Sequence, residues 1–259
     1  MNENRPNRRR CGRRPIGLPG VAVLLIILLG LTVGCAPVAG PPMPGPPDRP
    51  TAEPLYWWYA RFRMVWEPES KPRWYLGPLI AHRVLRPVIR DFSDRIPLWR
   101  FHRRAARDAA GHQFSFIFYA TPETAGAVFD RIARDPTLQL LYDGHLLARV
   151  VFDDPDDPRR PGVADTSDRH WSAAVQKSWP YFAMGASQTW LNLIDRLCQA
   201  SPPAPGKPDV ARLTDDYRRI SGQVDHTWQT EGRHAYLHHL NAIFGYVPLI
   251  FRETRYLNF

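Results

Sequence analysis

The sequence is poor in the motifs by which most enzymes are recognised. It holds three cysteines in 259 residues, too few for a disulfide framework or a paired-cysteine zinc motif. It has no glycine-rich phosphate loop and no dinucleotide-binding fingerprint. The segment Gly185-Ala-Ser187-Gln188-Thr189 lacks the second glycine of a serine nucleophile elbow. No catalytic residue can therefore be assigned from sequence, and the pattern favours a protein that is not an enzyme.

Acidic residues are nearly missing from the N-terminus. Residues 1–15 contain six arginines and one acid, Glu3. The apolar run from Val21 to Val33 carries no charge. Its length fits the hydrophobic core of a secretory signal and falls short of the roughly 20 residues that a membrane-spanning helix needs. The order of these segments predicts export from the cytoplasm.

The end of this signal carries the sequence's one family resemblance. Leu31-Thr32-Val33-Gly34-Cys35 resembles the lipobox of bacterial lipoproteins, with Thr32 at a position where that class prefers leucine. The resemblance implies that residues 1–34 are removed as a signal peptide and that Cys35 carries lipid. It also implies that the membrane is a partner of this chain through Cys35. The alternative is an uncleaved N-terminal anchor, and both interpretations place residues 36–259 outside the cytoplasm.

We therefore expect a location in the cell envelope. By analogy with enteric bacteria, Ala36 in place of aspartate favours the outer membrane, facing the periplasm, over the inner membrane. Residues 35–54 follow as the lipidated cysteine and a tether, because residues 36–54 contain eight prolines and favour an extended spacer. Residues 55–259 are long enough for a single globular domain.

The net charge of +9 lies mostly in the signal. Without residues 1–34 the chain has 28 basic and 24 acidic side chains, a net charge of +4. The high isoelectric point is thus no footprint of nucleic-acid binding, and we expect no nucleic acid as a partner. A mild positive charge suits anionic lipid or polyanionic surface polymers.

The apolar pattern of residues 55–259 predicts an α+β fold, with a small mixed or antiparallel sheet in the N-terminal half and a helix-rich C-terminal half. Phe62 and Met64 alternate with Arg61 and Arg63, which predicts a strand over 55–66 with one wet face. Further segments are predicted as follows: paired strands at 98–103 and 113–119, a helix from the cap Thr121 to about Arg134, a short helix ending at Gly144, and a strand at 145–152. A strand–helix–strand crossover of this length allows parallel pairing.

Several helices are predicted with interruptions. The helical pattern of residues 76–96 should kink or split at Pro87, and a helix in the segment after residue 166 should be interrupted at Pro180. The last helix begins near Asp209. Gly222 and Gly232 weaken it, and the tail 249–259 alternates enough to be an edge strand.

One group of side chains has metal-binding chemistry. Glu231, His234 and His238 share a face of a helix, and a carboxylate with two imidazoles suits zinc or iron. Further candidate ligands are Asp225, His226 and His170. The alternative is that these histidines are ordinary core or surface residues. No cofactor is expected otherwise, although the four carboxylates of loop 153–157 have the oxygens that calcium prefers.

Two further positions have two interpretations each. Trp57 and Trp58 suit a contact with a ligand or partner, or packing in the core. Cys198 lies in an apolar helical context and is either a buried inert residue or a reactive thiol.

Three functions remain open. The favoured one is a non-enzymatic lipoprotein of the envelope that binds a protein or a polymer, or serves as a scaffold. The second is a metal-dependent envelope hydrolase that uses the region from Glu231 to His239. The third is a carrier of a small ligand or lipid, with aromatic side chains lining a cavity.

Overall fold

The computed structural model describes residues 53–157, 159, 161–201 and 209–245. Four strands form one sheet. Their bounds are β1 Tyr56–Met64, β2 Leu98–Ala105, β3 His112–Ala120 and β4 Leu147–Phe152. The strands lie in the order β2-β3-β1-β4, and each neighbouring pair is antiparallel. The predicted α+β class is confirmed, with an antiparallel sheet rather than a mixed one.

Helices connect the strands in the first half of the domain. Between β1 and β2 lie α1 Leu76–Ile80, a π-helical turn Ala81–Leu85 and α2 Arg86–Asp91; between β3 and β4 lie α3 Pro122–Ala133 and α4 Pro136–Asp143. This βαββαβ chain order, with β1 and β3 in the centre of the sheet, is the ferredoxin-like topology. Strands β3 and β4 run parallel to each other but do not pair, because β1 lies between them. The parallel direction expected for these two strands is confirmed, whereas they do not pair with each other as the expectation allowed.

Local sequence determines where the two helices after β3 begin and end. The side chain of Thr121 accepts a hydrogen bond from the backbone N–H of Thr124. Asp135 accepts from Thr137 in the same way, and α4 ends at Gly144. Each cap is followed by a proline at the first helical position, where a missing N–H costs nothing. These predicted boundaries are confirmed.

The second half of the domain is helical. A 3₁₀ turn at Val163–Asp165 leads to α5 Ala173–Ala200, and then come α6 Val210–Thr227, a π-helical turn Trp228–Gly232 and α7 Arg233–Phe244. Helix α5 lies along β2 and contacts α6, which in turn contacts α1. Within the described residues, no helix combines the length and apolarity needed to cross a bilayer.

The predicted interruption at Pro180 is wrong. Helix α5 runs unbroken for 28 residues, and Pro180 is buried inside it. Pro180 belongs to the face that α5 buries, together with Ala183, Ser187, Leu191 and Ile194. This tertiary contact offsets the roughly 3 kcal/mol that an internal proline costs a helix.

Pro87 and the two glycines are also accommodated without a break in the helix. The chain becomes π-helical at Ala81–Leu85, just before Pro87, and the helix ends at Asp91, short of the predicted residue 96. A second π-helical turn ends at Gly232, and α7 continues to Phe244. Wider turns of this kind absorb a local mismatch in the backbone hydrogen bonds. The strand predicted at 249–259 lies outside the described residues.

The core occupies one face of the sheet. Strand residues Phe62, Phe114, Phe116 and Phe118 are almost fully buried there, together with Trp58. Helices α1 to α4, with α5 and α6, supply the remaining core side chains. We call this side of the sheet the packed face. Since side chains alternate along a strand, the intervening residues lie on the opposite face.

Candidate functional site

The face opposite the core carries six basic side chains, and we call it the basic face. Its basic residues are Arg61, Arg63, Arg100, His102, Arg104 and Arg149. They come from three strands, β1, β2 and β4, and alternate with core residues along each one. The predicted wet face of β1, with Arg61 and Arg63, is confirmed as part of it.

The strand register gathers three of these arginines into one line across the sheet. Arg104 pairs with Gln113, Gln113 pairs with Arg63, and Arg63 pairs with Arg149. We call this line of four residues the basic row. It contains no acidic residue. Directly opposite residues of like charge on neighbouring strands destabilise a sheet, so the Arg63–Arg149 pair is unfavourable for folding.

The arginines nearer the other end of the face are neutralised or tied down. Arg61 Nη1 lies 2.6 Å from Asp153 Oδ1, and Asp153 also accepts the backbone N–H of Tyr59 at 2.9 Å. Arg100 donates to the carbonyl of Thr166, which brings the segment after the 3₁₀ turn onto this end of the sheet. Arg149, by contrast, is exposed and makes no ion pair with the described residues. Among the arginines of this face, positive charge is therefore most available at Arg149.

Contacts at the row hold two of its guanidinium groups in place. Arg63 Nη1 donates to the carbonyl of Ala109 at 3.0 Å, and Arg104 pairs with Asp108. The hydrogen bond from Arg104, followed by backbone hydrogen bonds, lowers the pKa of the Asp108 carboxyl. The β2–β3 connection thus orients the side chains of Arg63 and Arg104.

A concavity of about 870 Å³ adjoins the row, and Arg63, Arg107 and Arg149 all line it. The Arg107 guanidinium lies 3.5 Å from the centre of the Trp66 ring, and it donates to the carbonyls of Glu67 and Ser70. Of the 34 basic residues in the chain, 31 are arginine. Arginine presents a planar fork that binds carboxylate and phosphate through two hydrogen bonds. Glu69 and Asp108 also line the concavity, so three arginines and two acids border it, and an anionic ligand would bind there through the arginine side chains.

His102 lies in the same face, next to the arginines in sequence. Burial among its neighbours and the charges of Arg100 and Arg104 lower the pKa of this imidazole. The ring retains access to solvent. The imidazole is therefore neutral near pH 7, and the positive charge of the basic face comes from its arginines.

A second candidate site is a cleft of about 280 Å³ between the first π-helical turn, α5 and α6. His82 from the π-helical turn has its Nδ1 2.5 Å from the hydroxyl of Tyr217 and its Nε2 3.3 Å from Asp195 Oδ1. Asp195 also accepts from Arg86 at 3.0 Å, and Cys198 contacts Tyr217. A π-helical turn at a polar cluster is a frequent mark of a functional position.

The ionisation states in this cleft suit positioning more than reaction. Burial lowers the pKa of His82, and it raises the pKa of both Cys198 and Tyr217. Near neutral pH the imidazole, thiol and phenol are thus all uncharged. Cys198 is half-buried and is held as a thiol, which supports the inert interpretation rather than the reactive one.

The predicted metal-binding residues do not form a closed site. Glu231 lies in the second π-helical turn, while His234 and His238 lie in α7 with their rings stacked 5.7 Å apart. All three are exposed, as are Asp225, His226 and His170. In the part of the chain that the structure describes, no three metal-capable side chains converge. Zinc or iron binding remains a prediction, which elemental analysis of the purified chain would check.

Three of the four carboxylates considered for calcium are occupied by local contacts. Asp153 pairs with Arg61, Asp154 accepts the backbone N–H of Asp156, and Asp157 pairs with Arg159 at 2.9 Å. These contacts describe the solvated turn that was the alternative interpretation.

The structure also removes two other candidate positions from direct contact with a ligand. The side chains of Trp57 and Trp58 are only 4% and 1% exposed, and the Trp58 indole donates to the carbonyl of Ala120. The burial of both favours the alternative, packing: Trp58 lies in the core, whereas Trp57 lies on the opposite face with its ring centre 5.1 Å from that of Tyr119. Ser187 is buried inside α5, where its hydroxyl donates to Ala183 and accepts the backbone N–H of Phe101. It caps the open edge of β2 and is no nucleophile.

The fold and its sites define an α+β protein with a ferredoxin-like sheet, a basic face opposite the core and a helical extension. No family model, no curated protein and no solved structure matches this chain.

Sequence reasoning missed the basic row because its members come from separate parts of the chain. Arg63, Arg104 and Arg149 meet only once the strand order is known. Alternation in the predicted strands could have found Arg63 and Arg149, whereas Arg104 lies one residue beyond the strand predicted at 98–103.

Proposed function

We propose that this chain is a membrane-anchored lipoprotein of the cell envelope that binds an anionic polymer through the basic row and the adjoining concavity. The observation that carries the proposal is the line of Arg104, Arg63 and Arg149 across the sheet face opposite the core, in which no acid occupies a row position and the only ion pair among the described residues is that of Arg104 with Asp108. The polymer class is one that bears phosphate or carboxylate groups. Polymers of this kind are common at cell surfaces, which is where a lipidated Cys35 would hold the domain.

The cost of the row to folding supports a binding role. A sheet gains stability when opposite charges face each other across neighbouring strands, and it loses stability when like charges do so. Arg63 and Arg149 are such a like-charge pair. An anionic ligand between them would convert the repulsion into attraction. The length of the row, four strands wide, suits a chain of charges better than a single small anion.

The binding experiment compares two variants of equal net charge. The full chain, purified in detergent, is titrated with fluorescently labelled polyphosphate, and binding is followed by anisotropy at several salt concentrations. The test variant is Arg63→Gln/Arg104→Gln/Arg149→Gln. The matched control is Arg90→Gln/Arg95→Gln/Arg134→Gln, because these three arginines are exposed on other elements.

We expect the test variant to lose at least about tenfold in affinity and to show a shallower dependence of log K on log salt, by about 2 to 3. The control should stay within about twofold, since its charges lie outside the row. An equal loss in both variants would show that net charge alone drives binding. Polyglutamate in place of polyphosphate then shows whether carboxylate or phosphate is preferred.

The anchoring part of the proposal has its own test. Cys35→Ser should abolish fatty-acid labelling and retention of the chain in the membrane fraction. Labelling and retention that persist in the variant would overturn the lipoprotein assignment and leave the uncleaved anchor.

The alternatives are less well supported. A carrier of a small ligand or lipid needs an enclosed apolar cavity, whereas arginine and aspartate side chains line each of the concavities described above. An enzyme that uses Glu231, His234 and His238 needs these three side chains to converge on one metal ion.

A further inference from the structure

The concavity beside the basic row is lined by three kinds of side chain. Its three arginines are accompanied by the carboxylates of Glu69 and Asp108. The rest of the lining is apolar apart from His112, and it includes Trp66, Pro68 and four alanines. A polymer that carries only phosphate or carboxylate groups suits the arginines, but it meets like charge at the two acids. The lining therefore favours a ligand that carries more than negative charge.

The two acids differ in how far their oxygens are already occupied. Asp108 accepts the backbone N–H groups of Ala110 and Gly111, and it pairs with Arg104. The side chain of Glu69 is exposed and makes no hydrogen bond or ion pair with any residue that the structure describes. Glu69 therefore has both carboxylate oxygens available to donors on a ligand.

The backbone that carries Glu69 is held in place. The Arg107 guanidinium donates to the carbonyls of Glu67 and Ser70, which flank Glu69 in sequence, at 3.1 Å each. The Trp66 indole also donates to the Ser70 carbonyl, at 2.9 Å. These contacts tie the turn to the β2–β3 connection, so the carboxylate of Glu69 extends from a fixed backbone beside the concavity.

His112 adds an uncharged hydrogen-bonding group to the same lining. Its side chain is only 4% exposed, and its ring centre lies 6.0 Å from that of Trp66 and 5.1 Å from that of Trp74. Burial lowers the pKa of this imidazole to about 4, so the ring is neutral near pH 7. Neither ring nitrogen bonds to a residue that the structure describes, and Nδ1 is closed to solvent. A buried polar atom without a partner costs free energy, which points to a role other than folding.

We infer that the anionic polymer is a polysaccharide whose hydroxyl groups bond to Glu69 and His112 while its anionic groups bind the arginines, an assignment that rests on the proposed function because it names the polymer of that same site. A hydroxyl both donates and accepts, so it can bond to a carboxylate and to an imidazole in either tautomer. The apolar part of the lining suits the CH groups of a sugar ring. A volume of about 870 Å³ lies within the range of ligand sites.

The test compares two polymers that carry the same charge on each unit. Polygalacturonate and polyglutamate of matched length both have one carboxylate per unit, but only polygalacturonate has hydroxyl groups. The full chain, purified in detergent, is titrated into each labelled polymer, and binding is followed by anisotropy at fixed salt. The variant is Glu69→Ala. The matched control is Glu123→Ala, which removes an exposed acid on α3.

Glu69→Ala should change the two affinities in opposite directions. It removes an acceptor for sugar hydroxyls, so the affinity for polygalacturonate should fall by at least about fivefold. It also removes a negative charge near the arginines, so the affinity for polyglutamate should rise by about two- to threefold. The control should leave both affinities within about twofold of the unchanged chain.

A second variant tests the imidazole. His112→Phe keeps a ring between the two tryptophans but removes both nitrogens, and circular dichroism checks that the chain is folded. The affinity for polygalacturonate should fall by about threefold, and the affinity for polyglutamate should not change.

An affinity for polygalacturonate that rises or stays unchanged in Glu69→Ala would overturn the inference, because it would show that the concavity recognises charge alone. Tighter binding of polyglutamate than of polygalacturonate by the unchanged chain would overturn it as well. Failure of the proposed function gives a different result. In that case Arg63→Gln/Arg104→Gln/Arg149→Gln would bind both polymers as tightly as the unchanged chain does.

Discussion

The two faces of the sheet use the same strands for opposite purposes. On the packed face, Phe114, Phe116 and Phe118 are at most 1% exposed and contact helices on that side. On the basic face, Arg104, Arg63 and Arg149 lie side by side at a cost to folding. The difference teaches that stability is concentrated on one side of the sheet, which leaves the other side free to carry charges that folding alone would not favour.

The largest expected effect breaks the packed face. Phe116→Ala removes a fully buried ring that stacks on Phe118 with centres 5.0 Å apart, and it leaves a cavity. We expect a loss of about 3 to 5 kcal/mol of unfolding free energy, measured by urea denaturation. Arg149→Ala on the opposite face is the control and should change stability by less than about 0.5 kcal/mol. Equal losses would show that both faces stabilise the fold alike.

A pH titration compares one histidine from each face. His112 lies at the end of the packed face between Trp66 and Trp74, and burial with the charges of Arg103 and Arg73 lowers its pKa from 6.5 to about 4. Its pKa is lower in the folded than in the unfolded chain, so the unfolded chain binds the proton first as the pH falls. Its contribution is complete above pH 6.5 and is lost progressively toward about pH 4.

We expect this loss to reach about 3 kcal/mol in unfolding experiments at successive pH values. His112→Phe should flatten the dependence over this range. His102→Gln, on the basic face, should also flatten the dependence of the unfolding free energy on pH, but by less, because the pKa of His102 is lowered as well. A steeper dependence for His102→Gln than for the unchanged chain would contradict this assignment.

An intermediate effect concerns Asp153, the acid that pairs with Arg61 on the basic side of β1. Asp153→Asn should weaken its contacts with Arg61 and with the backbone of Tyr59, at a cost of about 1 kcal/mol. The same change adds positive charge to the face, so the affinity for polyphosphate should rise. Thermal denaturation and anisotropy of the same samples check both signs. A fall in affinity would place the polymer away from this part of the face.

The smallest expected effect on stability gives the sharpest test of the comparison. Arg149→Glu replaces a like-charge pair with an attractive one opposite Arg63 and should stabilise the domain by about 0.5 kcal/mol. It should lower the affinity for polyphosphate, and Arg149→Lys should preserve most of it. A variant that both binds and folds better would show that the row is not the binding surface.

Much of the first half of the fold follows from local pattern. The alternation of Phe62 and Met64 with Arg61 and Arg63 predicted both the strand and its wet face, because side chains on a strand point to opposite sides in turn. Thr121 and Gly144 predicted helix ends because capping depends on the residues beside the terminus. Pro180 gave a wrong prediction, since burial of its face against the domain outweighs its local cost.

The candidate sites were harder to predict. His82, Asp195 and Tyr217 come from three separate helical segments, and nothing in their sequence spacing indicates that they meet. The metal hypothesis rested on helix periodicity alone, and the π-helical turn ending at Gly232 separates Glu231 from the helix that carries both histidines.

The sequence by itself determined the alternation of the strands, the helix caps and the export signal that we expect. These features depend on residues that are close together in the sequence, so they can be recognised without knowledge of the fold. Only the tertiary structure decided that Arg63, Arg104 and Arg149 share one row, because strand order and register arise from packing of the whole core on one side of the sheet.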